Sequence, residues 1–142
     1  MLGVNVELLD SEARIPTYSH QGDACFDLYA LEDTIISTMM VTPVRTGLAF
    51  EVPDGMVMKV YPRSGLATKF GVTLANCTGI IDSGYRGEVK VPMYALFKPY
   101  QVYKGDRIAQ AEITSTRECM FLVKGKLSVT DRGEGGFGSS GK

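Results

Sequence analysis

Short apolar, β-branched runs separated by turn residues set the rhythm of this chain, at residues 4–9, 34–41, 46–52, 56–61, 72–74, 88–96, 107–114 and 120–122. Runs this short, bounded by turn signals, predict strands. The clearest one alternates, with Val89, Val91, Met93 and Ala95 on one face and Glu88, Lys90 and Tyr94 on the other, which is the pattern of a strand buried on one side. Pro92 lies inside that run and predicts an edge strand or a bulge, because proline has no N–H to give to a neighbour. Pro53-Asp54-Gly55 and Lys104-Gly105-Asp106 provide the turn chemistry for hairpin or corner connections. A single stretch predicts helix: Ser64 as N-cap, a short turn through Leu66, Ala67 and Lys69, and Gly71 as the stop. About eight short strands without intervening helices favour a double-sheet barrel or jelly roll over a parallel α/β sheet.

A chain of 142 residues fits one domain with a real core. Its 15 Lys+Arg against 16 Asp+Glu leave no long-range field for a nucleic-acid backbone or an anionic membrane, so any phosphate recognition has to be local. The first ten residues carry Glu7 and Asp10 and no basic region, and no run reaches membrane-spanning length. The chain is therefore expected to be soluble and unexported. Cys25, Cys77 and Cys119 are odd in number and far apart, which argues against a disulfide framework or a paired-cysteine metal site and leaves buried, reduced thiols as the expectation. His20 is the single histidine, so zinc sites built on histidine pairs and multi-histidine catalysis are excluded, and carboxylates are left to do acid–base work.

Several segments hold usable chemistry. Ile81-Asp82-Ser83-Gly84-Tyr85-Arg86-Gly87 places an acid, an aromatic ring and a base on one glycine-bounded turn. It reads equally as an ordinary turn with a local side-chain bond. Tyr61-Pro62-Arg63-Ser64-Gly65-Leu66 brings a guanidinium and a hydroxyl to a helix start, either an anion site or a plain capped turn. The stretches 22–28 and 105–110 read singly as turns leading into strands. Residues 133–142 are rich in glycine, with Ser139 and Ser140 and the charges of Arg132 and Lys142 close by, a composition that suits either a phosphate-gripping arm or a solvated tail. The matches there to Gly-x-Gly-x-x-Gly and to a P-loop are rejected, because both motifs need a helix to follow.

Taken in order, these segments give the chain a strong likeness to one family. Asp23-Ala24-Cys25-Phe26-Asp27-Leu28-Tyr29-Ala30, Pro62-Arg63-Ser64-Gly65-Leu66-Ala67, the run from Gly79 to Gly87, Gly105-Asp106-Arg107-Ile108-Ala109-Gln110 and the run from Arg132 to Gly141 resemble the five motifs of the trimeric dUTPases. One departure stands in the first motif, where Cys25 replaces the usual glycine. The resemblance implies a distorted jelly-roll β-barrel over residues 1–130 and a mobile glycine-rich arm over 131–142 that closes on the nucleotide. It implies hydrolysis of dUTP to dUMP and pyrophosphate, which limits uracil in DNA and supplies dUMP for thymidylate synthesis. The implied setting is the cytoplasm, or the host cytoplasm or nucleus for a virus-borne copy.

The same resemblance implies roles for individual residues. Asp82 matches the general base that activates water for in-line attack on the α-phosphorus, and Tyr85 the ring that fills the space of a 2′-hydroxyl. Asn76, with backbone groups of Gly79, Ile80 and Ile81, matches the hairpin that reads the uracil edge. Arg63, Ser64, Gly65 and Gln110 match phosphate contacts, and Lys90 matches a position near the substrate. In the arm, Phe137 matches the ring that stacks on uracil, while Arg132, Gly138 and Ser139 match triphosphate contacts. Asp27 matches the carboxylate that orients waters on a Mg²⁺ carried by the triphosphate. Sites shared between three chains make the implied partner a second and third copy of the chain, with no nucleic acid and no membrane. The dCTP deaminases share the fold and closing arm, but Asp82 with Tyr85 three residues on keeps the hydrolase pattern. A nucleotide-sensing binding protein would usually carry an inserted segment between motifs, and the spacings here are compact.

Overall fold

The computed structural model describes residues 2–137. Among them stand eleven strands, β1 (Asn5–Leu8), β2 (Phe26–Tyr29), β3 (Thr34–Ile36), β4 (Thr42–Arg45), β5 (Leu48–Glu51), β6 (Met56–Tyr61), β7 (Val72–Leu74), β8 (Gly79–Asp82), β9 (Lys90–Ala95), β10 (Tyr100–Val102) and β11 (Arg107–Ser115), with one helix, α1 (Ser64–Phe70). The strands form antiparallel sheets in the orders β2-β11-β6-β8, β4-β9-β7, β1-β5 and β10-β3. The jelly-roll-like, all-β architecture expected from the strand rhythm is the one observed. No helix among the described residues is long and apolar enough to cross a membrane.

One core cluster draws on every sheet, with Leu28, Ile36, Leu48, Met58, Met93 and Ile108 at its centre. Along β9 and the residue before it the alternation holds as read: Val89, Val91, Met93 and Ala95 are all at most 1% exposed. Turns 53–55 and 104–106 join strands of different sheets, so both are corners. Gly55 (φ 73°) and Gly105 (φ 83°) take the left-handed backbone those corners need.

Four readings are corrected. Pro92 is neither on an edge nor in a bulge, since β9 is the middle strand of β4-β9-β7. It stands opposite Pro43, and its carbonyl faces the other way to accept the Ala75 N–H at 2.8 Å, just past the end of β7. The missing donor thus falls where the β7 pairing stops. Ser64 is not the N-cap: the Arg63 carbonyl already accepts the Ala67 N–H at 3.0 Å, so Arg63, in extended backbone, holds the cap position without a side-chain bond. Gly71 does end the helix, at φ 65°. The run 34–41 is strand only to Ile36, because the Ser37 and Thr42 hydroxyls accept the Met39 and Ser37 N–H groups at 3.0 and 3.3 Å and bend the chain. Residues 120–122 form no strand; Met120, Phe121 and Leu122 are over four-fifths exposed.

Two glycines separate backbone strain from packing. Gly47 (φ 70°) has no room for a Cβ, which would lie 2.9 Å from Ala13 Cβ and 3.1 Å from Leu31 Cδ1, whereas Gly55 (φ 73°) faces open space. Gly55→Ala is expected to lose about 1–2 kcal/mol from left-handed strain alone, and Gly47→Ala about 1–3 kcal/mol more from overpacking. Denaturant unfolding at one fixed protein concentration checks this; equal losses would show that the Gly47 pocket yields.

Candidate active site

The site is assembled by strand register. Gln110 of β11 stands opposite Asp27 of β2 on one side and Tyr61 of β6 on the other. Three strands thus align the first, second and fourth motifs, and the chain leaves Tyr61 through Pro62 into α1. The Gln110 amide Nε2 donates to the Pro62 carbonyl at 3.0 Å, fixing the approach to the helix.

Asp27 is the charged centre of this group. Its side chain is 11% exposed, with Oδ1 3.4 Å from Arg63 Nε and Oδ2 3.3 Å from Arg107 Nη1. Ser19 Oγ donates to Oδ2 at 2.9 Å and accepts from Arg107 at 3.0 Å. The Arg63 Nη1 in turn donates to the Arg107 carbonyl at 2.9 Å, so the two guanidinia are braced against one carboxylate. They flank an open cleft of about 290 Å³, whose wall includes Asp23, Cys25, Ser64, Gly65 and Gln110. Two cations, a hydroxyl and an amide around a half-open polar cleft are suited to a polyanionic chain of phosphates.

The third motif lies elsewhere on the subunit. Asp82 ends β8 opposite Val57, whereas Gln110 is opposite Tyr61 four residues further along the same β6. With about 3.3 Å per residue and about 4.8 Å per strand, Asp82 and Gln110 are on the order of 16 Å apart. Neither Asp82, Tyr85 nor Asn76 lines the cleft. Asp82 is exposed, and its carbonyl accepts the Tyr85 N–H at 3.1 Å. Tyr85 is 44% exposed, and its hydroxyl donates to the Glu88 carbonyl at 3.1 Å. A Cβ on Gly87 would fall 2.5 Å from the Tyr85 hydroxyl, so glycine there is what lets the ring lie back on the strand.

Asn76 sits on a turn between β7 and β8. Those strands pair with β9 and β6, not with each other, which corrects the expectation of a hairpin there. Cys77 beside it has φ 57°, strained for a side chain other than glycine or asparagine. Gly79 is buried; a Cβ on it would press Val60 Cβ at 3.2 Å. Ile80 points outward and Ile81 packs toward the core. Lys90 is half exposed, with its ammonium 3.7 Å from Glu88, away from the cleft. In the arm, Arg132 Nε donates to the Gly135 carbonyl at 3.0 Å, and Phe137 is fully exposed. Gly138 and Ser139 lie outside the described residues.

Arg107 and Ser19 are the site residues that sequence reading missed. Arg107 was in view inside the fourth motif, but its place beside Asp27 depends on the irregular register between Arg107 and Ala109. Ser19 carries no signal at all.

A family model described as dUTPase matches residues 11–141. The chain belongs to the dUTPase family. Curated relatives named deoxyuridine 5′-triphosphate nucleotidohydrolase include that of Thermobifida fusca, 42% identical over 97% of this chain and 78% of its own length. That of Solibacter usitatus is 44% identical over 98% of this chain and 96% of its own. Among solved structures, the dUTPase of Staphylococcus bacteriophage 80alpha with dUpNHpp is 27% identical, with a TM-score of 0.91 and 100% of both chains covered.

The departure in this dUTPase's first motif has a measurable consequence. The Cys25 thiol is pushed above its ordinary range first by burial, then by the Glu112 and Asp27 carboxylates, while Cys77 and Cys119 are exposed, which corrects the expectation of buried thiols. Since the thiolate is the nucleophile, Cys77 and Cys119 should alkylate readily at pH 7–8 while Cys25 lags. Peptide mass spectrometry over a maleimide time course checks this; equal rates at all three would show that Cys25 is neither shielded nor perturbed.

Proposed function

We infer that this chain hydrolyses dUTP to dUMP and pyrophosphate. The observation that carries the reading is the Asp27–Arg63–Arg107 cleft, assembled from three of the family's motifs in a chain matched by the family model over residues 11–141. In this reading Arg63, Arg107, Ser64, Gly65 and Gln110 hold the triphosphate. Asp82 accepts a proton from a water that attacks the α-phosphorus in line; the bond from that phosphorus to the bridging oxygen breaks, and pyrophosphate leaves. Tyr85 excludes a 2′-hydroxyl, and Asn76 with the 79–81 backbone reads uracil. The exposed arm from 131 brings Phe137 onto the base and Arg132, Gly138 and Ser139 onto the phosphates. Lys90 stays a substrate-side candidate, with its charge partly taken up by Glu88.

No group of three or more His, Cys, Asp or Glu that could hold a metal exists among the described residues. That inventory fits Mg²⁺ carried by the phosphates and waters, with Asp27 reaching its water shell as the cleft carboxylate. When bound, the ion would neutralise phosphate oxygens and stabilise the charge that develops on the departing pyrophosphate. A solved dUTPase from phage phi11, 22% identical with a TM-score of 0.81, coordinates a structural Mg(II) ion of its own.

A homotrimer completes the reading. Asp82 stands too far from the cleft of its own subunit to act on a nucleotide held there. The apolar stretch 120–123, with Phe121 at 93% and Val123 at 104% exposed, supplies surface for contact between copies. A reducing, cytoplasmic setting agrees with three free cysteines.

Pyrophosphate release with dUTP, dCTP, dTTP and UTP in parallel tests the substrate, with strong preference for dUTP expected. Asp82→Asn should bind dUTP nearly as well and turn over roughly 10²–10⁴-fold more slowly; wild-type turnover would remove Asp82 from the chemistry.

Mixing tests the shared site. Asp82→Asn and Arg63→Ala are each expected to be inactive alone, and equal mixing with subunit exchange should restore about a quarter of wild-type turnover by random assortment. No recovery after verified exchange would place base and phosphate cleft on one chain.

A further inference from the structure

Arg86 follows the two residues assigned to chemistry, and its guanidinium turns back onto their turn. Its Nη1 donates to the carbonyl oxygens of Ser83 at 2.6 Å and Tyr85 at 3.0 Å. These carbonyls flank Gly84, around which a Cβ would meet nothing within 4 Å. A glycine-tipped turn without packing at its tip has soft backbone torsions, and a fork across both sides of the glycine removes that freedom.

The fork is itself anchored. Arg86 Nη2 lies 3.5 Å from Glu51 Oε1 on β5, and Glu51 Oε2 accepts from Asn5 Nδ2 at 2.6 Å, on the strand paired with it. A chain of polar contacts thus ties the 82–85 turn to the β1-β5 sheet, outside the sheet that carries Asp82. Both side chains of the Arg86–Glu51 pair are 53% exposed, so the pair adds little to stability. Its effect is geometric.

We propose that Arg86 is a positioning residue: by holding the Ser83 and Tyr85 carbonyls it sets the turn that aims the Asp82 carboxylate and lays the Tyr85 ring against the sugar. The inference rests on the roles of Asp82 and Tyr85 given above. Lysine cannot replace it, because an ammonium is a point donor without the planar fork that spans two carbonyls and a carboxylate.

The test compares full-length Arg86→Gln and Arg86→Lys with wild type. Both are expected to lower kcat for dUTP about ten- to a hundredfold, the scale set by displacing a reacting group by about 1 Å. KM should change little, because the phosphate cleft is on other strands. UTP turnover should rise relative to dUTP as the Tyr85 ring shifts, and millimolar guanidinium should restore part of the kcat of Arg86→Gln. Melting temperature and oligomeric state should match wild type. Wild-type kcat in both variants overturns the proposal, as does a loss of activity that tracks a lower melting temperature and ignores guanidinium. Asp82→Asn measured alongside separates the two levels: a fast Asp82→Asn enzyme refutes the underlying catalytic role, while a slow Asp82→Asn with a fast Arg86→Gln refutes this inference alone.

Discussion

The pairing of β11 with both β2 and β6 is the constraint from which the site follows. Because Gln110 is opposite Asp27 and Tyr61 at once, motifs separated by dozens of residues meet in one row across three strands. A slip of one residue on either side would turn Asp27 or Gln110 into the core and Leu28 or Ala109 out to solvent. The buried side chains of Leu28, Ala109 and Ala111 therefore fix the polar row as firmly as they fix the core. Hydrophobic packing on the inner face is what gives the outer face its chemistry.

The charges in that row follow a similar logic. A nearly buried Asp27 carboxylate is tolerable only with partners, and the two guanidinia that balance it are held at the cleft by that pairing and by the contacts to Ser19 and the Arg107 carbonyl. Under the proposed function, a phosphate chain arriving there would meet donors already aimed, so less ordering cost would fall on binding. Breaking the cluster from either end leaves a charge uncompensated. Asp27 is thus structurally necessary to the arginines whatever it does for a metal.

Local pattern made part of this legible. The β9 alternation, the corners at Gly55 and Gly105 and the helix stop at Gly71 were all readable, because each depends on residues within a few positions. β2 was not, since Phe26, Asp27, Leu28 and Tyr29 are all buried and show no alternation. Pro92 misled because an edge was inferred from a missing donor, when that donor falls on the β7 side just where the β7 pairing stops. The motifs named Asp27, Arg63 and Gln110 as candidates, but their convergence is a property of register, which sequence spacing does not encode. Arg107 was overlooked for the same reason: only the irregular β2–β11 pairing places it beside Asp27.

The separation of Asp82 from the cleft gives the architecture its functional meaning. On one subunit the Asp27–Arg63–Arg107 cleft lies at one end of β6 and Asp82 toward the other, and no side-chain motion spans a gap on the order of 16 Å between two β-strand positions. Proximity is worth many orders of magnitude in rate only when base, water and phosphorus are aligned together. If the site is shared as proposed, a lone subunit lacks a base within reach of its own cleft, and assembly becomes a condition for turnover. That condition demands rigidity of the Asp82 turn more than of any loop serving a single-chain site. In the proposed shared site, Asp82 has to be presented across an interface, with no neighbouring cleft residue to correct its aim. The anchoring of that turn through Arg86, Glu51 and Asn5 to a separate sheet answers this demand, because it fixes the turn to the body of its own subunit before any partner arrives.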